Sequence, residues 1–196
     1  MSSIRPYRPA DRDAVYDICV RTGDSGRDAT GRYSRPDLLP DIYAGPYLEF
    51  EPGLAFVVDR GDRAIGYVIA TSDTRAFVRW YADTWWPSVE GKYPASPEEE
   101  PGERELVATG ANADRMLVPA VDAYPAHLHI DLLPETQGQG FGRRLVDTLA
   151  DALRARGVPG LHLTAGASNT GALAFYERLG MKVLERGGGV TFGLRL

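Results

Sequence analysis

Apolar positions change period several times along the chain, and each change marks a boundary between strand-like and helix-like segments. Residues 3–7 read as a first short strand. Pro9-Ala-Asp-Arg then opens a helix to about Arg21, with Val15, Ile18 and Cys19 at the spacing of one helical face. Residues 23–35 have the Gly, Ser, Asp and Arg content of a loop, and residues 37–43, between Pro36 and Pro46, predict a short second helix. Two β-rich runs, residues 54–59 and 64–70, flank Arg60-Gly-Asp-Arg and predict a hairpin.

In the C-terminal third the pattern sharpens. Residues 127–133 alternate, with Leu128, Ile130 and Leu132 on one face and His127, His129 and Asp131 on the other. A glycine-rich turn leads into a helix to about Arg156, whose Phe141, Leu145, Val146, Leu149 and Leu153 form one stripe. Gly157 and Pro159 stop it. Residues 161–165 predict a strand, residues 169–179 a helix closed by Gly180, and residues 181–184 and 190–196 two closing strands. Strand–helix–strand–helix order implies an α/β (α+β) fold with a mixed, partly parallel sheet covered by helices.

Between the third and fourth strands, residues 73–125 follow neither period for long. The stretch opens with Phe77, Trp80, Tyr81, Trp85 and Trp86, passes through a Pro- and Glu-rich segment at residues 94–105, and predicts a further helix before Val118-Pro119. Compact domains rarely carry so long a structureless connection, so an inserted element is expected within one domain spanning residues 1–196. Its aromatics suit either a small core or the wall of a ligand pocket.

Composition narrows the function classes. The 196 residues carry 22 Lys and Arg against 27 Asp and Glu, a net charge of −5. That balance argues against the broad basic surface of a nucleic-acid or anionic-membrane binder. No apolar run approaches the roughly 20 residues of a membrane helix, and the single cysteine excludes an intrachain disulfide framework. A cytoplasmic globular protein with neither a nucleic-acid nor a membrane partner is the expectation. Cys19, on an apolar stripe, is expected to pack rather than react. Glu98, Glu99, Glu100, Glu103 and Glu105 stand close together with Arg104. They predict a solvated acidic loop, with attraction of cationic amines to a site entrance as the sharper alternative.

The candidate chemistry lies in Pro134-Glu-Thr-Gln-Gly-Gln-Gly-Phe-Gly-Arg-Arg, between strand and helix. Gly138, Gly140 and Gly142 let backbone approach a ligand, and the following helix start offers free N–H groups to an anion. Gln137 and Gln139 are further donors, and Arg143 or Arg144 lies within reach of a phosphate. A Walker loop would need Gly-Lys-Ser/Thr, and a Rossmann turn would need glycine where Arg143 stands. On composition alone, a merely structural glycine turn fits as well.

Two longer motifs break the tie. Gln137-Gly-Gln-Gly-Phe-Gly resembles the Gln/Arg-x-x-Gly-x-Gly/Ala signature of the GNAT acetyltransferases. Downstream, Asn169-Thr-Gly-Ala-Leu-Ala-Phe-Tyr-Glu-Arg-Leu-Gly-Met resembles that family's Asn-x-x-Ala-x-x-hydrophobic-Tyr-x-x-x-Gly-Phe helix, with Met181 replacing the aromatic. More narrowly, Gly66-Tyr-Val-Ile-Ala-Thr, Trp85-Trp86-Pro87 and Lys92-Tyr93-Pro94 are similar to bacterial relatives of the acetyltransferase-like C-terminal domain of O-GlcNAcases. The animal domain of that group is regarded as a pseudo-acetyltransferase with a degraded coenzyme loop, whereas the loop here is intact.

The resemblance implies a GNAT fold and acetyl-CoA as co-substrate, bound where two parallel strands splay apart. Backbone at Leu132 and Leu133 would pair with the pantetheine amides. Gln137, Gly138, Gln139, Gly140, Phe141, Gly142 and Arg143 would hold the pyrophosphate, Asn169 would contact the pantetheine arm, and Tyr176 would protonate the departing thiolate. The acceptor would be a primary amine, of a small molecule or of a protein lysine or N-terminus. Such an amine is mostly protonated at pH 7 and requires a base. Asp131 is the first candidate and His129, with a reference pKa near 6.5, the second. Two other readings stay open: a catalytically silent coenzyme-binding or protein-interaction module, and a metal-dependent hydrolase on His127, His129 and Asp131. Neither the implied transfer nor the favoured residue set includes a metal.

Overall fold

The continuously apolar run at residues 64–70 becomes β3 (Ala64–Thr71), and every residue of that strand is buried. A strand of this kind needs cover on both faces. The computed structural model, which describes residues 2–61, 63–95 and 102–196, provides it. β3 is flanked by β2 (Phe56–Asp59) and β4 (Ala126–Leu132), and β1 (Ser3–Pro6) lies beyond β2. β5 (Gly160–Gly166), β7 (Gly189–Arg195) and β6 (Lys182–Arg186) continue the sheet, in the order β1-β2-β3-β4-β5-β7-β6. Neighbouring strands are antiparallel except β4 and β5, which run parallel. The sheet is therefore mixed and partly parallel, as the pattern predicted.

Side-chain alternation along β4 distributes the helices. Leu132 meets α7 (Phe141–Arg154) near Gly142, while Asp131 on the other face lies near Cys19 and Thr22 of α1 (Arg12–Thr22). The predicted stripe of α7 is buried at Phe141, Leu145, Val146, Leu149 and Leu153. The second predicted helix is α2 (Leu38–Tyr43). A third, α3 (Gly45–Phe50), carries Pro46 in its first turn. Proline there costs nothing, since the first N–H groups of a helix have no internal partner, so a residue read as a boundary is in fact a helix start.

The 73–125 stretch forms α4 (Thr74–Trp80), α5 (Trp86–Val89) and α6 (Glu103–Ala111). Asp73 caps α4 by accepting from the Ala76 N–H at 3.0 Å. Phe77, Tyr81, Trp85, Trp86 and Tyr93 are buried and join the main core, with Phe77 stacked on Tyr47 at 4.5 Å. Trp85, Trp86 and Tyr93 belong to the segments that resemble O-GlcNAcase relatives, and their work here is structural. Buried Asp41 of α2 accepts from Tyr16 at 2.8 Å, Tyr93 at 2.6 Å and Lys92 at 2.8 Å, and its carbonyl takes the Trp85 indole N–H at 2.7 Å. A carboxylate withdrawn from water this far is stable only when so many donors surround it.

The acidic stretch differs from its prediction. Glu98, Glu99 and Glu100 lie outside the described residues. Glu105 is exposed, but Glu103 is fully buried at the start of α6. Its carboxylate accepts from the Ser34 amide at 2.8 Å, the Ser34 hydroxyl at 2.9 Å and Arg35 at 3.0 Å. Glu103 pins the insert to the loop before α2 instead of belonging to a solvated face.

Candidate active site

β4 and β5 pair only at Ala126–Leu161 and His127–His162. Past that point β4 stays with β3 to Leu132 while β5 stays with β7 to Gly166, leaving a wedge between them. The Leu133 N–H donates to Ile65 at 3.2 Å, which fixes the phase of the β3–β4 ladder. In that phase the backbone groups of Ile130 and Leu132 point away from β3, into the wedge. Leu133 has no backbone to spare. Its carbonyl also accepts from the Thr136 amide at 2.9 Å and hydroxyl at 2.6 Å, and its side chain is fully buried.

A cavity of about 700 Å³ follows the wedge from Asp131 and Leu132 along the glycine turn to α8 (Thr170–Arg178). Gly138 and Gly140 hold φ of 73° and 78°, a left-handed conformation that favours glycine. The chain thereby enters α7 with the amides of Gly138 through Arg143 making no hydrogen bond to another described residue. Aligned N–H groups at a helix N-terminus carry partial positive charge and suit an anion. Gly142 serves close packing instead: a Cβ there would lie 2.9 Å from the Phe175 ring.

The turn spends its side chains on itself. The Gln137 amide donates to the Leu132 carbonyl at 3.1 Å and the Gln139 amide to the Glu135 carbonyl at 2.6 Å. Arg143 reaches across to the Arg178 carbonyl at 2.7 Å. Gln137, Gly138, Gly140, Phe141, Gly142 and Arg143 line the cavity, whereas Gln139 and Leu133 do not. Asn169 also lines it, and its side-chain oxygen caps α8 by accepting from the Ala172 N–H at 3.1 Å.

A second cavity of about 380 Å³ meets the first, and the two share Thr22, Gly26, Ile130, Asp131, Asn169, Ala172 and Tyr176. Tyr176 projects from α8, its ring against Phe175 at 5.2 Å and Phe192 at 5.4 Å. Burial raises its pKa, so the phenol keeps its proton at neutral pH. Opposite, Asp131 accepts a 2.5 Å hydrogen bond from the Tyr67 hydroxyl. Burial raises the Asp131 pKa above the usual carboxylate range, with the Tyr67 bond opposing. Cys19 also borders this cavity, and burial pushes its thiol up, away from thiolate chemistry.

The two histidines of β4 belong to one hydrogen-bond chain whose direction can be worked out. The Thr74 hydroxyl donates to the Pro125 carbonyl at 2.7 Å, so its oxygen accepts from His127 Nδ1–H at 2.8 Å. Burial lowers the His127 pKa well below the usual range, so the ring is neutral and Nε2 is a bare acceptor. The Tyr47 hydroxyl fills it at 2.6 Å, a far better partner than the Met116 sulfur at 3.9 Å. With its proton committed, the Tyr47 oxygen accepts from His129 Nε2–H at 3.1 Å. Burial, with Arg115 nearby, lowers the His129 pKa to about 4, so neutral His129 carries its lone pair on Nδ1.

This corrects the expectation of an ordinary histidine near 6.5. It also leaves His127 no free nitrogen, and among the described residues no cluster of His, Cys, Asp or Glu is arranged to hold a metal ion.

The description "Acetyltransferase (GNAT) family" fits a family model that matches residues 24–181. The chain belongs to the GNAT acetyltransferase family. One structural neighbour, yncA from Salmonella typhimurium, is 15% identical, with 100% of this chain and 94% of that one covered and a TM-score of 0.57, and was solved with its cofactor acetyl-CoA. The chain is 49% identical to SsHAT, known from a crystal structure, with 99% of this chain and 98% of that one covered and a TM-score of 0.92. It is 26% identical over 181 residues to Protein O-GlcNAcase of Rattus norvegicus, a match covering 91% of this chain and 20% of that protein. The chain thus spans about a fifth of the curated O-GlcNAcases it matches. A shorter match, 51% over 47 residues, covers 24% of this chain and 32% of the [Ribosomal protein bS18]-alanine N-acetyltransferase of Escherichia coli (strain K12).

Against this GNAT frame, several residues at the site carry no mark in the sequence. Tyr47, Thr74 and Tyr67 bond the candidate side chains of β4, and Leu106 of α6 borders the second cavity. The cross-strand partner of Asp131 on β3 is Tyr67, so the register between two clearly patterned strands could have found that one. Among the described residues, no helix is long and apolar enough to cross a membrane.

Proposed function

We propose that the chain is an acetyl-CoA-dependent N-acetyltransferase that passes the acetyl group directly to a primary amine within the wedge between β4 and β5. One observation carries the reading: the two cavities adjoin along a boundary that includes Ile130, Asp131 and Tyr176, so a donor space and an acceptor space lie side by side. The residues suit the coenzyme. The unclaimed amides of Gly138 through Arg143 offer a pyrophosphate cradle, and the backbone of Ile130 with the N–H of Leu132, whose carbonyl Gln137 already takes, can pair with an amide-bearing arm as an added strand would. The Asn169 amide nitrogen remains to donate while its oxygen caps α8.

Acetyl-CoA supplies, when bound, an activated acyl group on a sulfur leaving group. Attack requires an unprotonated amine. Asp131, at the junction and with a raised pKa, is positioned to take the amine's proton, and a raised pKa makes it a stronger base than an ordinary carboxylate. His129 Nδ1 accepts a second amine N–H and orients the lone pair. Tyr176 holds its proton on the opposite wall until the sulfur departs.

A thiol-release assay over a panel of small amines and peptide N-termini tests the reading. Amine-dependent release is expected, with Asp131→Asn slowing it about a hundredfold or more while acetyl-CoA affinity changes little. Coenzyme binding with no release for any amine would leave a silent binding module in its place.

A further inference from the structure

We propose that the acceptor cavity has an anion-binding end built on Arg115, and that the preferred acceptor is therefore an amine that also carries a carboxylate. This rests on the reading of the wedge as an amine-acetylating site. Beyond His129 lies a third chamber of about 220 Å³. It shares Tyr43, Leu128, His129, Leu163 and Thr164 with the acceptor cavity, so the two chambers adjoin across those five side chains. The insert supplies its outer wall through Arg115, Met116 and Val118.

Arg115 is the residue that gives this chamber its charge. The other titratable groups lining it are Tyr43 and Tyr47, whose hydroxyls burial keeps protonated, and His127, His129 and His162, which burial keeps neutral. One Arg115 N–H donates to the Asn112 carbonyl at 3.0 Å. The guanidinium carbon lies 5.7 Å from the Tyr43 ring centre and 5.4 Å from that of Tyr81. Rings of this kind offset part of the cost of removing a cation from water, and the guanidinium also lies against the Tyr43 and Tyr81 hydroxyls, which together with the Asn112 carbonyl engage some but not all of its five N–H groups. Among the described residues no carboxylate lies within ion-pair distance of Arg115, whereas half-buried Arg5 has two and half-buried Arg35 has one.

A planar guanidinium with N–H groups left over, lining a chamber without a counter-ion, matches a carboxylate in shape and charge. Asp131 lines the adjoining acceptor cavity. The two chambers together thus run from a carboxylate beside the donor junction to a guanidinium at the far end, the reverse polarity of an amino carboxylate. The span is short, since the Tyr43 ring that Arg115 covers also meets the His129 ring at 5.8 Å.

Calorimetry on the full chain with free CoA, using 4-aminobutyrate, 5-aminopentanoate and 6-aminohexanoate, their carboxamides and 3-aminopropyl phosphate, tests this. The best carboxylate should bind at least tenfold more tightly than its carboxamide. In Arg115→Gln that advantage should fall to within twofold, with the carboxamide's affinity unchanged. Arg115→Lys, which keeps the charge and loses the fork, should retain part of it and serves if the glutamine variant folds poorly. Equal binding of carboxylates and carboxamides, no binding of either, or an advantage that survives Arg115→Gln would overturn the proposal. A stronger preference for the phosphate would overturn the assignment to a carboxylate. Thiol release measured on the same compounds separates the two readings. Carboxylate-selective binding without release sinks the transferase reading alone, and release without selectivity sinks the anion-binding end alone.

Discussion

Removing one hydroxyl, in Tyr47→Phe, should loosen both the fold and the site. In the structure that hydroxyl donates to His127 Nε2 at 2.6 Å and accepts from His129 Nε2–H at 3.1 Å. The phenyl ring can keep its stacking on Phe77, so the packing loss is small. The electrostatic loss is larger, because His127 is buried and its bare nitrogen would face no donor. A buried polar atom left unsatisfied costs about 1–3 kcal/mol. His129 borders two cavities and can recover a water, so His127 dominates and about 2 kcal/mol is expected. For a chain of this size that corresponds to a fall of about 4–8 °C in Tm.

The catalytic effect is separate. Freed from Tyr47, His129 can place its proton on either nitrogen and rotate. An orienting hydrogen bond of about 0.5–1.5 kcal/mol predicts a loss of about two- to tenfold in kcat/KM. Thr74→Val attacks the same chain from its other end by removing the acceptor of His127 Nδ1–H. The double variant should therefore lose less than the sum of the singles. Thermal melts and steady-state rates on all three proteins provide the readout. Additive losses, or a Tyr47→Phe protein with wild-type Tm and rate, would refute the directed chain.

Three further expectations follow from the same contacts. Tyr176→Phe should lower kcat about a hundredfold with coenzyme affinity nearly unchanged, and an unaltered kcat would remove its acid role. Stability should fall with acidification. His127, His129 and His162 have pKa values lowered in the fold, so the unfolded chain takes up protons first as pH drops below about 6.5, and the loss should run down to about 4, where His129 itself protonates. The raised pKa of Asp131 acts with the opposite sign but is one group against three. Urea midpoints that stay level from pH 7 to 5 would contradict the neutral, buried histidines. Glu103→Ala should cost about 3 kcal/mol by leaving Arg35 and the Ser34 amide without their acceptor, while Glu105→Ala, on the exposed side of α6, should change urea stability by less than about 0.5 kcal/mol.

How much of this was readable in the chain depends on whether a signal was local. The apolar run of β3, the stripe of α7 and the alternation of β4 are repeating patterns, and each appears in the structure within a few residues of its predicted bounds. The glycine turn was readable because positive φ and close packing leave a compositional mark at Gly138, Gly140 and Gly142. Its side chains carry a second use that composition does not show: Gln137 and Gln139, read as ligand donors, also brace the turn, since a loop with so many glycines needs internal hydrogen bonds to hold one shape.

Non-local partners left no such mark. Glu103 reads as one more acid in an acidic run until the fold brings Arg35 to it across 68 residues. His129 reads as an ordinary imidazole until Tyr47, 82 residues away, occupies one nitrogen and burial shifts its pKa. Arg115 is one arginine among many until the insert closes over the wedge and two tyrosine rings flank it. Alternation placed Asp131 and His129 on one face of β4, but only the parting of β4 from β5 made that face a site.

The central claim is that the wedge between β4 and β5 receives acetyl-CoA with its reactive end at the junction of the two cavities. A crystal structure of the chain with a non-hydrolysable acetyl-CoA analogue tests this most directly. The account predicts the pyrophosphate on the amides of Gly138 through Arg143, the pantetheine arm along Ile130 and Leu132, and the acyl group between Asp131 and Tyr176, facing the His129 cavity. An analogue bound elsewhere, or one whose acyl end points away from that junction, would contradict it.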